Sequence, residues 1–67
     1  MRIYDYHSTI ANYETVHYFF KREKNTVTGN PRYRVWIIDG DGVVYETIFH
    51  CYEKFIESHV IDFIEKQ

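Results

Sequence analysis

From Thr15 onward the apolar positions alternate. Val16, Tyr18, Phe20 and Arg22 fall on one parity, and His17, Phe19, Lys21 and Glu23 on the other. A period of two, carried by aromatic and β-branched residues, predicts a strand. Asn25 to Pro31 then collects turn formers, with Gly29 and Asn30 tolerant of positive φ and Pro31 unable to donate to a ladder, so a loop is expected there. Arg32 to Asp39 reads as the second strand, with Tyr33, Val35 and Ile37 facing one way and Arg34, Trp36 and Ile38 the other. Both faces are apolar beyond Arg34, which suits a central strand. Asp39-Gly40-Asp41-Gly42 is a hairpin signal, because Asp-Gly suits the primed turns. Val43 to His50 completes a third strand.

The period then lengthens. Phe55, Ile56, His59, Val60, Phe63 and Ile64 share one helical face, with Glu53, Lys54, Glu57, Asp62 and Glu65 on the outer side. The spacing predicts a helix from near Tyr52 almost to the C-terminus. Its apolar stripe needs a sheet to cover. The expected architecture is therefore one α+β domain over residues 1–67, a three-stranded antiparallel sheet packed on one C-terminal helix (β-β-β-α). Residues 1–14 leave several readings open: a short strand over Arg2 to His7, a turn or single helical turn over Ser8 to Tyr13 with Ser8 as cap, or a cover folded across the free sheet face.

Composition sharpens this picture. A 67-residue chain buries only about 60% of the surface its unfolded form exposes. Seven Tyr, five Phe and Trp36 offset that handicap, since each aromatic ring buries roughly 150–250 Å². Cys51 is the only cysteine, so no intrachain disulfide forms, and a lone thiol fits a reducing compartment. The N-terminus lacks the apolar run of a signal peptide, and Val35 to Ile38 is far short of a membrane span. A cytoplasmic protein is expected, with no membrane partner.

Charge is distributed unevenly. Residues 1–34 carry six basic and three acidic side chains, and residues 35–67 carry two and seven, so halves of +3 and −5 make up the net −2. Lys21, Arg22, Lys24, Arg32 and Arg34 cluster, with Trp36 just beyond them. These six are the candidate binding residues. Cations interleaved with aromatics suit a nucleic-acid surface, and solvated cations at strand ends also guard exposed sheet edges.

Catalytic and metal chemistry finds little footing. Ile37 to Val44 resembles the first motif of haloacid-dehalogenase-type phosphatases, which implies Asp39 as nucleophile and Asp41 as acid/base. That family also needs a doubly wound fold, a Lys and further carboxylates for Mg²⁺, and the residues after Val44 read as a hairpin strand. Calcium ligation in an EF-hand loop needs a Glu at the twelfth position, and twelve from Asp39 is His50. The four His and Cys51 show no metal-ligand spacing. Cys51 beside His50 reads as a small buried cysteine at a strand end rather than a dyad, and His59 as a core or boundary histidine on the helix. No cofactor and no enzymatic activity are expected.

Two kinds of resemblance bear on function. A three-stranded sheet with a C-terminal helix resembles the N-terminal DNA-binding domains of some tyrosine recombinases, which lay the sheet in the major groove. The element order also resembles a double-stranded-RNA-binding domain, although this helix opens Tyr52-Glu53-Lys54 where that family has a basic cluster. Gly29-Asn30-Pro31-Arg32-Tyr33-Arg34-Val35 resembles a segment of short proteins from Gram-positive phages and mobile elements, which implies an accessory protein that binds or blocks a host macromolecule. The leading expectation is a non-enzymatic module making protein–protein contacts, with the outward Tyr residues and an acidic helix face (Glu53, Glu57, Asp62, Glu65) engaging the partner. The alternative is nucleic-acid binding through the basic and aromatic sheet face. A homodimer is compatible with both.

Overall fold

The structure, a computed structural model, describes residues 5–23 and 31–67. Lys24, Gly29, Asn30 and the Asn25–Asn30 part of the expected loop lie outside the described residues, as do Arg2 to Tyr4. The elements are β1 (Asp5–Ala11), β2 (Glu14–Glu23), β3 (Arg32–Ile38), β4 (Val44–His50), a 3-10 turn at Glu53–Phe55, and α1 (Ile56–Glu65). The sheet is antiparallel throughout, in the order β1-β2-β3-β4. The α+β class and the C-terminal helix stand. The strand count is corrected from three to four, because residues 5–11 extend the sheet instead of turning beside it or lying across it.

The turn that pairs the added strand, Asn12-Tyr13, carries no glycine. Asn12 and Tyr13 both have positive φ, 52° and 64°, and join Ala11 to Glu14 in a two-residue connection. That is the pattern of a type I′ hairpin, whose twist matches that of the strands. Asn tolerates the left-handed region, but Tyr does so at a cost. Asn12 Nδ2 also donates to the Ile64 carbonyl (3.2 Å), tying the hairpin tip to the last turn of α1.

The second hairpin departs from the expected primed turn. Gly42 N–H donates to the Asp39 carbonyl (3.0 Å), Asp39 N–H donates to the Val43 carbonyl (3.0 Å), and Gly42 has φ of 88°. This is a four-residue turn closed by a glycine bulge, so Gly42, not Gly40, takes the left-handed position. The Asp39 carboxylate stabilises it, with Oδ1 accepting from the N–H groups of Asp41 (2.9 Å) and Val43 (3.0 Å).

Strand pairing decides which side chains share a face, since cross-strand partners point the same way. Val16, Tyr18, Tyr33, Val35 and Ile37 are buried on the face toward α1, where Ile56, Val60 and Ile64 meet them. The i, i+4, i+8 spacing stacks those three helix residues in one stripe. Each such side chain contributes about 1.5–3 kcal/mol by burial. Phe55 lies in the 3-10 turn before α1, out of phase with the stripe, and is 46% exposed. His59 is exposed, with its ring against Phe49 (5.2 Å).

Tyr13 is fully exposed and held at positive φ, so Tyr13→Gly removes backbone strain and loses no packing. Glycine's extra freedom when unfolded offsets part of that gain. A net gain of about 0.5 kcal/mol, or roughly 2–4 °C in melting temperature, is expected by calorimetry. Tyr13→Val should melt lower than the parent.

Candidate functional site

The side of the sheet away from α1 is not covered by any described element. Its surface follows from the register. Tyr6, Phe19, Trp36 and Glu46 form one cross-strand row, and Ser8, His17, Ile38 and Val44 form the next. Lys21, Arg34 and Ile48 make a third, and Glu23, Arg32 and His50 a fourth. Of the six sequence candidates, Lys21, Arg32, Arg34 and Trp36 therefore share this face. Arg22 has the opposite parity, beside Tyr33 on the helix side, and Lys24 lies outside the described residues. Sequence parity alone flags neither Tyr6 nor Glu23 and Glu46 as members of the surface, because their rows depend on register and on a first strand that the sequence offers only as one alternative.

The aromatic rows form a ladder. Phe19 and Trp36 stack at 5.2 Å between ring centroids with planes 16° apart, and Tyr6 stacks on Phe19 at 6.1 Å and on His17 at 5.5 Å. Two nearly parallel rings 5.2 Å apart are offset-stacked, because coplanar neighbours would collide at that distance. An aromatic pair of this kind contributes about 0.5–1.5 kcal/mol beyond burial.

Beside the ladder the charges are interlocked. Arg34 Nε donates to Glu23 Oε2 (2.8 Å) and its NH1 donates to Glu46 Oε2 (2.7 Å). Arg32 Nε lies 3.2 Å from Glu23 Oε1, an ion-pair contact without hydrogen-bond alignment. The Arg34 hydrogen bond holds the Glu23 carboxyl below the usual carboxylate range, with burial opposing and the charges of Arg34, Arg32 and Lys21 assisting. Glu23 and Glu46 in turn push the Arg34 guanidinium up. Three cations and two carboxylates on one face leave it nearly balanced.

Elsewhere the candidate chemistry is committed to structure. Asp39 holds its turn, and Tyr45 Oη approaches its second oxygen at 3.5 Å. Cys51 packs against the edge of the core, and burial pushes its thiol up, away from the nucleophilic thiolate. His50 points to the free face of the sheet, and is exposed there. Among the described residues, no group of three or more His, Cys, Asp or Glu is placed to hold a metal ion. The acidic side chains of the helix are exposed, with Glu57 accepting from Thr9 Oγ1 (2.9 Å) and Asp62 paired to Lys66 (3.0 Å). No helix among the described residues is long and apolar enough to cross a membrane.

The fold and this face define a class: a small α+β domain whose four-stranded meander is backed on one side by a helix and, among the described residues, covered by no element on the other. No protein-family model, curated protein or solved structure matches the chain.

Two measurements probe this chemistry. Glu23 is depressed in the folded state, so its contribution to stability is present at neutral pH and is lost as pH falls through its folded value, below the ordinary Glu value of about 4.3. Stability of Glu23→Gln should therefore fall less between neutral and acid pH than that of the parent, as read by denaturant unfolding at each pH. Cys51 should react with iodoacetamide more slowly than free cysteine at neutral pH, and reach the free rate only on unfolding.

Proposed function

We propose that this chain is a non-enzymatic binding module that docks a protein partner on the side of its sheet away from α1. Its segment resembling phage and mobile-element proteins supports an accessory protein that engages a host macromolecule. One observation carries the choice of a protein partner: Arg34, the central cation of this surface, is already held by carboxylates on both neighbouring strands, Glu23 and Glu46. Aliphatic neighbours of the stacked rings, such as Ile38 and Val44, suit the apolar side chains of a folded surface. Phosphates would have to draw Arg32 and Arg34 away from Glu23 and Glu46, whereas a protein rim of mixed charge meets an interlocked Arg–Glu row without that cost. Aromatics and arginine at the centre of a patch are also the residues that dominate protein interfaces.

Trp36 is the sole tryptophan, so its emission reports directly on this face. Titration with duplex and single-stranded nucleic acid at low salt should leave the emission unchanged. A protein captured from host lysate should shift it to the blue and should be lost with Trp36→Ser but kept with Tyr13→Gly. A salt-sensitive shift with nucleic acid, abolished by Arg32→Ala with Arg34→Ala, would establish the rival use of the same face. Capture that survives Trp36→Ser would remove the face from the function.

A further inference from the structure

We propose that the outer edge of β4 is a homodimer interface, in which β4 pairs antiparallel with β4 of a second copy to make one continuous sheet. This does not rest on the docking face above.

The backbone supplies the first argument. Asp39 and Val43 are joined by a ladder hydrogen bond (3.0 Å) at the mouth of the hairpin. Bonded and non-bonded pairs alternate along an antiparallel ladder. With the observed register, Tyr45, Thr47 and Phe49 direct their backbone groups to β3. Val44, Glu46, Ile48 and His50 direct theirs to the open edge. β4 contains no Pro and no Lys, residues that commonly blunt such edges.

Side chains select the same edge. No residue of β4 is fully buried. Tyr45 and Phe49 face the helix layer and are covered on one flank by Phe63, at 5.6 and 6.4 Å between centroids, and otherwise remain half-exposed. The core thus runs out to β4 and stops unfinished. At the opposite edge α1 closes over β1, where Ala11 is buried and Thr9 and Asn12 hydrogen-bond to the helix.

The sequence of β4 is self-complementary about Thr47. A twofold axis there sets Thr47 against its copy, Tyr45 against Phe49, Glu46 against Ile48 and Val44 against His50. Every outward N–H and C=O of the four edge residues then meets its opposite. Aromatic and Thr–Thr cross-strand pairs are favourable, and no like charges oppose one another. A register centred on Glu46 would set that carboxylate against itself, and one centred on Ile48 would leave Val44 unmatched. The occupant is a second copy of this chain because its own strand satisfies the edge in full. The twofold axis is perpendicular to the sheet, so both free faces lie on the same side.

Sedimentation equilibrium of the full chain should show a concentration-dependent monomer–dimer mixture. Thr47→Lys and Thr47→Glu should each weaken the dimer about tenfold or more, and an equimolar mixture of the two should restore it. Circular dichroism confirms that each variant remains folded. In a Cys51→Ser background, Thr47→Cys should form an intermolecular disulfide with oxidised glutathione, because non-bonded antiparallel pairs bring Cα atoms to about 4.5 Å. Glu46→Cys, which would face Ile48, should not. A wild-type chain that stays monomeric at every concentration overturns the proposal, as does a dimer indifferent to both Thr47 charges or one that cross-links equally at Glu46.

Discussion

One helix cannot cover four strands. An α-helix with its side chains is about 10–12 Å across, while four strands at about 4.8 Å spacing are wider. The Thr9–Glu57 and Asn12–Ile64 hydrogen bonds tie α1 to β1 and the β1–β2 turn. Burial is accordingly complete for Ala11, Val16, Val35 and Ile37 and falls away at β4. The opposite sheet face has no covering element at all among the described residues. Most of the molecule's surface character follows from this mismatch of widths. Among the described residues, that face is stabilised by contacts within its own plane, stacked rings and paired charges.

That in-plane stabilisation also explains why so aromatic a surface can remain an ordered part of the protein. The Tyr6–Phe19–Trp36 ladder packs ring against ring across the strands. Glu23 and Glu46 likewise hold the guanidinium of Arg34, which stands directly across from Lys21 and would otherwise repel it. The two devices sit in adjacent rows, so the apolar and charged parts of the face are two residues apart along each strand.

Much of this was legible in the chain. β2, β3, β4 and the helix follow from period and composition, because those segments bury one parity or one stripe and the pattern records it. The first strand was legible only as one alternative, a short strand over Arg2 to His7, which overlaps the observed Asp5–Ala11 in part. Asp5 to Ala11 lies at an edge, where Tyr6 and Ile10 are left exposed and Ala11 is buried, so its hydrophobic alternation is weak. Its turn, Asn12-Tyr13, lacks the glycine that usually announces a primed hairpin. The Asp-Gly motif announced a turn correctly and its type incorrectly, since the choice between Gly40 and Gly42 for the left-handed position depends on the hydrogen bonds of the loop. Lys21, Arg32, Arg34 and Trp36 were visible as a cluster. The carboxylates that engage the arginines were not, because Glu23 and Glu46 come into range only through the pairing of three strands.

Arg34 illustrates what such pairing means for recognition. A long, flexible side chain normally surrenders its rotamer freedom at the moment of association, at about 0.5–1.5 kcal/mol. Here the guanidinium is already fixed by carboxylates on the strands to either side. That ordering is completed during folding, before any partner arrives. A partner docking on this face, as proposed, would meet a preset shape, and the encounter would proceed by fit rather than by search.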